Sequence, residues 1–243
     1  MAAATRRTWL KNMGLAGLGL AAAGAGVARS AFATGRAGET RDIALAELRG
    51  AFDAGQHGVT PDASSRSARA FMDLLEAASK QRGQVFLPPG RYELSNIALP
   101  DFVHLTGVPG ATIIAYSGEG RLFHASQTRS LRLSNIRFDG ANRWLADNAP
   151  ALMSFHDIDD LRIKDCEILG AERHALWLER VAGTVSANAI TGAGDAAIFA
   201  VESRGLTIEA NRIADCGNGG ILVHRWKKAD DGTIIRANRI TGI

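Results

Sequence analysis

Apolar residues in the second half of the chain recur in a fixed frame. An apolar residue is followed three positions later by Asn, and two after that by Ile. The frame is filled by Val185, Asn188 and Ile190, then Ile208, Asn211 and Ile213, then Ile235, Asn238 and Ile240; Ile163, Cys166 and Ile168 fill it with Cys in the Asn place. The Asn recurs after 23 residues and then after 27. Around each frame, apolar and polar positions alternate with period two, as in strands. Leu206 and Ile208 face one way, Thr207 and Glu209 the other. Ile221 and Val223 alternate with Leu222 and His224 in a second strand, and Ile213 opens a third. Three short strands per turn of about 23 residues predict an all-β solenoid, a parallel β-helix whose coils stack about 4.8 Å apart.

The Asn column of Asn188, Asn211 and Asn238 is expected at a tight bend between strands. Asn tolerates left-handed backbone angles, and stacked amides can hydrogen-bond along the column. Leu131 to Gly140 aligns with Leu161 to Gly170, thirty residues on, and the excess falls in Ala141 to Pro150. That coil is expected to carry a protruding loop. Val103–Leu105, Thr112–Ile114 and Leu122–His124 read as strands of irregular first coils.

An open solenoid end exposes core and unpaired edges, so a cap is expected. Ser65 to Lys80 supplies an N-terminal capping α-helix, with Ala68, Phe71, Met72, Leu75 and Ala78 at helical spacing and Asp62 or Ser64 as its N-cap. Gly83 ends it. Val85–Leu87, the stiff turn Pro88-Pro89-Gly90 and Tyr92–Leu94 then read as the first strands. The opposite end stops at Gly242-Ile243, just past an Asn-column bend, and a C-terminally incomplete solenoid is the expectation there.

Gly58-Val59-Thr60-Pro61-Asp62, the helix, Val85 to Tyr92 and Leu105-Thr106-Gly107 together resemble the entry module of the pectin-lyase-like superfamily. The resemblance implies a right-handed parallel β-helix. Thr5-Arg6-Arg7-Thr8-Trp9-Leu10-Lys11 resembles the twin-arginine export motif, with Arg6 and Arg7 as the pair. A Gly/Ala/Leu run from Met13 to Val27 follows, too short and weak to span a bilayer. Ala31-Phe32-Ala33 reads as a cleavage site, with Ala33 the last residue removed. The alternative for this segment is a basic amphipathic helix. The expected organisation is a signal at 1–33, a linker at 34–60 and the β-helix at 61–243. Nearly the whole chain is similar to the twin-arginine-translocated repeat proteins, a group that brings no established activity. That likeness implies the translocase as an export partner, a periplasmic or secreted location, and no transmembrane anchor in the mature chain.

Removing the signal changes the charge. Without Arg6, Arg7, Lys11 and Arg29, 24 basic residues face 25 acidic ones, a formal charge of −1. A nucleic-acid partner, which needs a concentrated basic surface, is not expected. Cys166 and Cys216 lie two coils apart, about 10 Å, beyond disulfide reach, and are expected as buried thiols. Neither has a second Cys or His at metal-ligand spacing, so no metal site is assigned; no cofactor is evident, and no motif supports Ca²⁺.

Aligning Leu176, Ile198 and Ile221 sets out the columns of an outer face. Arg173, Asp195 and Asn218 precede the strand. Trp177, Phe199 and Leu222 lie on it, followed by Glu179, Val201 and His224, with Arg180, Glu202 and Arg225 at its end. Trp226 to Gly232 is an insertion beside this face. Such a set suits an acidic polysaccharide: Trp177 to stack on a sugar ring, Arg173, Lys227 or Lys228 to neutralise a uronate, and Asp195, His224 or Glu179 to move a proton. Each residue has a plainer reading as well. Arg173 and Asp195 fit a cross-coil ion pair, the aromatic column fits packing under a loop, and His224 fits a surface histidine. His57, His104, His124, His156 and His174 share no spacing and receive no role. Gly-His-Gly and Asp-Pro-His, signatures of carbohydrate-active β-helices, are absent, although Arg162-Ile163-Lys164 is similar to part of a polygalacturonase motif. Two readings stand: a lyase, hydrolase or epimerase of acidic polysaccharide, or a non-catalytic scaffold or glycan-binding solenoid.

Overall fold

The computed structural model describes residues 51–61 and 65–243. Arg6, Arg7 and Ala33 of the expected export segment, and Asp62 and Ser64 of the expected helix cap, lie outside the described residues.

Alternation of apolar and polar positions produces what the frame predicts, a parallel β-solenoid. Among the described residues every strand pair is parallel, and the strands fall into an eleven-stranded and a seven-stranded sheet. In the middle coils the first two strand directions are one continuous strand with a kink: Phe123–Ser134, Ala151–Lys164 and His174–Ser186. The kinks are single left-handed residues, Gln127, Asp157 and Arg180, with Glu202 next in the column. Short third strands such as Glu167–Leu169, Ala189–Thr191 and Arg212–Ala214 form the second sheet. Leu176, Ile198, Val185, Ile208, Ile190 and Ile213 all point into one core and are at most 1% exposed.

The Asn column departs from expectation in one respect. The left-handed residue at that bend is the one before the Asn: Ala187, Ala210 and Ala237, with φ of 54 to 55°. The Asn side chain instead turns inward and serves the stack. Asn188 Oδ1 accepts from the Cys166 N–H (3.0 Å), and its Nδ2 donates to Ile163 O (2.9 Å) and to Asn211 Oδ1 (3.0 Å). Asn211 repeats the pattern with Val185 O (2.9 Å) and Asn238 Oδ1 (2.9 Å). The amide ladder is therefore present, and it exists to satisfy bend groups that burial would otherwise orphan.

Cys166 occupies the first place in this column. It and Cys216 are free, buried thiols, and burial pushes the Cys166 thiol up to about 12. A helix, Ser65–Gln81, buries Phe71, Leu74, Leu75 and Ala78. Phe71 stacks on Phe123 at 6.4 Å. Met72, expected on the apolar face, is exposed, and Leu74 takes its place. The sheet also begins ahead of the expected boundary at residue 61, since Phe52–Asp53 pairs with Val85 and Phe86.

Candidate functional site

In register, the kinked strands bring two rows of side chains onto the outer face of the first strand direction. One row runs His124, Ser154, Trp177, Phe199, Leu222 and the next Ser126, His156, Glu179, Val201, His224. The first row is half-buried but for Ser154, which is fully buried. Trp177 and Phe199 stack at 4.3 Å, and His224 stacks on the far side of Phe199 at 5.0 Å. The aromatic column is thus packed on itself. One face of Trp177 is spent on Phe199 and is lost as a sugar platform, and the coil on its other side presents a fully buried Ser154.

The expected ionic partners are rearranged. Arg173 does not pair with Asp195. Its guanidinium donates to the carbonyls of Ala146, Asp147 and Ala149 (3.3, 3.3 and 3.0 Å) and pairs with Glu172 (3.3 Å), clasping the 141–150 loop against the coil. A loop that turns three carbonyls toward one point offers a guanidinium more bonds than one carboxylate does. That loop is also anchored by Leu145 and Ala149, both buried, and leaves Trp144 74% exposed.

Asp195 is held by two other donors. Asn218 Nδ2 donates to Oδ1 (2.9 Å), and His174 Nε2 faces Oδ2 at 3.3 Å. His174 received no role from the sequence, because its partner lies 21 residues away in the next coil. Its Nδ1 accepts from the Ala196 N–H (3.1 Å), which leaves the ring proton on Nε2, toward Asp195. Burial lowers its pKa, against the pull of Asp195. With both ring nitrogens engaged, His174 is a neutral positioning group, and Asp195 is a fixed, partly exposed carboxylate.

Glu179 lies at the other end of the face. Its Oε2 meets His156 Nδ1 at 3.1 Å, and its Oε1 is bound by Arg180, which also forks onto Asp157 (2.7 and 2.8 Å). The Arg180 hydrogen bonds hold the Asp157 carboxyl below its ordinary value. Glu179 and His224 are separated by Val201 in their row, about 10 Å. Asp195 stands about six residues back along the strand direction, about 20 Å from Glu179. The three expected proton-moving groups share a face but do not meet. Lys227 and Lys228 are exposed on the insertion, which is tied down where the Trp226 and Lys227 N–H groups donate to Glu202 Oε1 (2.6 and 3.1 Å). Arg180, Glu202, Ser203, Arg204, Arg225, Asp230 and Asp231 line a cavity of about 380 Å³ at the foot of this insertion. Trp226 itself is 67% exposed. Among the described residues no three His, Cys, Asp or Glu side chains group as metal ligands.

Sequence reasoning passed over Trp144, Ser126, His156 and His174. The repeat carried the signal for His156: it sits 23 residues before Glu179, one coil.

Coil, ladder and kinked face define a parallel β-solenoid with one chemically decorated side. The chain belongs to the right handed beta helix region family, whose model matches residues 114–243. Among solved structures it is similar to a Parabacteroides merdae protein named a "putative glycosyl hydrolase" (16% identity, TM-score 0.56, 79% of this chain and 96% of that one). It is also similar to the A-module of an Azotobacter vinelandii mannuronan C-5 epimerase (17%, 0.64, 78% and 56%) and to the pre-mature gene product 12 of bacteriophage phi29 (19%, 0.60, 78% and 29%). The chain thus spans about half of the epimerase module and under a third of the phage protein. At these identities the likeness is one of fold. No curated protein matches the sequence.

Proposed function

We propose that this is an exported glycan-binding solenoid, which takes an acidic polysaccharide across the outer face of the kinked strands. The observation that carries the reading is the placement of tryptophan. All three tryptophans among the described residues gather on this face or on the loops beside it, and two of them, Trp144 and Trp226, are 74% and 67% exposed. A large aromatic left in water on an anchored loop supplies a stacking platform at low ordering cost. Lys227, Lys228 and the loosely paired Arg204, 3.6 Å from Asp157, supply cations for uronate carboxylates. Two structural neighbours with carbohydrate-related names support the same class. In this reading the twin-arginine segment delivers the folded chain to the periplasm, and the helix Ser65–Gln81 closes the first coil.

A second reading, catalysis on the same polymer, is favoured by Asp195, a carboxylate fixed by His174 and Asn218 beside the aromatic row. Titration of the full chain with polyuronate and with a neutral glycan tests both. Retention of polyuronate, weakened about tenfold by either Trp144→Ala or Trp226→Ala, is expected. Equal binding by the double variant and the parent sinks the binding reading. Chain cleavage or epimerisation abolished by Asp195→Asn moves the protein to the second.

A further inference from the structure

The row beside the aromatic column contains a serine, a histidine and a glutamate in consecutive coils. Ser126 pairs in register with His156, and His156 with Glu179. His156 Nδ1 and Glu179 Oε2 are 3.1 Å apart. With Nδ1–H donating to the carboxylate, Nε2 is the ring nitrogen that remains to take a proton. Ser126 is exposed, and His156 and Glu179 keep 29% and 15% of their side chains accessible. Neighbouring parallel strands lie about 4.8 Å apart, so Ser126 and His156, paired in register, stand on adjacent steps of one row. Glu179 is itself fixed from the other side by Arg180. A nucleophile, a base and a group that orients the base therefore stand in one line, set by coil stacking rather than by a loop.

We propose that Ser126, His156 and Glu179 form an ester-hydrolysing centre. Ser126 Oγ attacks the carbonyl carbon of an O-acetyl ester while His156 Nε2 takes the hydroxyl proton. The C–O bond to the sugar then breaks, and His156 returns the proton to the departing sugar hydroxyl. Water, deprotonated by the same nitrogen, cleaves the acetyl-serine to acetate and restores Ser126. Ser126 and His156 are the catalytic residues, and Glu179 is a positioning residue. Gln127, next to the nucleophile at the left-handed kink (φ 56°) and exposed, carries a neutral amide that can donate to the developing oxyanion. That the natural ester is an acetylated sugar rests on the glycan reading above; the ester chemistry does not.

The test uses the full chain with p-nitrophenyl acetate, which carries no sugar, and a fluorophosphonate probe. Glycan binding has no part in either readout, so failure of the glycan reading leaves both intact. Expected are covalent labelling at one serine and turnover above buffer, both lost in Ser126→Ala, an exposed site that folding tolerates. His156→Asn is expected to lower kcat at least 100-fold. Glu179→Gln is expected to lower kcat about 100-fold with KM unchanged, and Glu179→Asp to recover part of it. Absence of labelling and turnover in the folded parent overturns the proposal, as does a Ser126→Ala variant that matches the parent. An acetylated glycan then serves as second substrate. Turnover on the synthetic ester with none on the glycan retains the centre and removes the sugar from it.

Discussion

The Asn bend and the decorated face are built from the same coils, yet they obey opposite rules. At the bend, successive coils repeat one residue, and the groups of each amide find partners in the coils above and below. On the face, successive coils differ at every step, from Ser126 to His156 to Glu179, and from Ser154 to Trp177. Polar atoms are left over there: His124 Nδ1 and the Ser154 hydroxyl are buried with no hydrogen-bond partner. A solenoid pays for its stacking with sameness. Where sameness is abandoned, and buried polar atoms go unmatched, something other than stability sets the residues.

The largest expected effect is at the bend. Asn211→Ala removes the acceptor for the Asn188 N–H and Nδ2 and the donor for Val185 O, all in the buried stack. Leaving such groups orphaned costs about 1–3 kcal/mol each, and the loss is expected to reach about 3 kcal/mol or more in urea unfolding. Asn238→Ala, at a less buried rung of the ladder, is expected to cost clearly less. Equal costs for the two would mean that burial is not what gives the ladder its value.

On the face the reverse is expected. The Trp144→Ala/Trp226→Ala double variant loses about 100-fold in polyuronate affinity while unfolding within about 0.5 kcal/mol of the parent. A matched loss of stability would make these tryptophans structural and erase the contrast.

Acid distinguishes the two regions next. The Asn ladder holds no titrating group, whereas burial depresses both His124 and His174 on the face. A histidine whose folded value lies below its unfolded value of about 6.5 is proton-poor in the fold. It contributes stability that is complete above that pH and is lost as pH falls toward the folded value. Hydrogen exchange at pH 5 against pH 7, corrected for intrinsic rates, is expected to show lost protection first in Phe123–Ser134 and His174–Ser186, which carry His124 and His174, and in the adjoining Ala196–Val201. A uniform loss across both sheets would contradict this.

These differences also explain what was legible beforehand. The fold was readable because the ladder demands one residue at one spacing, and Asn188, Asn211 and Asn238 advertise it. The face was readable only by register, once the ladder had aligned the coils, which is how Glu179, Asp195 and His224 came to be considered. Their partners were not readable. Arg173 prefers loop carbonyls that no repeat predicts, and His174 takes its meaning from Asp195 in another coil. Trp144 lies in the insertion, where the repeat is silent.

The smallest effect tests the one feature of the bend that was misread. Ala210 holds φ at 54°, a conformation that costs an L-residue about 1–2 kcal/mol and glycine almost nothing. Glycine in turn loses about 0.5–1 kcal/mol more chain entropy on folding than alanine. The two terms oppose, and strain relief is the larger, so Ala210→Gly is expected to stabilise by about 0.5 kcal/mol, read as a shift in denaturant midpoint without a change in slope. The same substitution at Asn211 removes the ladder amide without relieving any strain, because that residue is not left-handed, and is expected to destabilise strongly. If both variants were destabilised alike, the work of the bend would be shared between the two residues. If only Asn211→Gly falls, backbone turning and amide bonding are separable tasks carried by neighbours, and the ladder fixes the stack while the alanine merely yields to it.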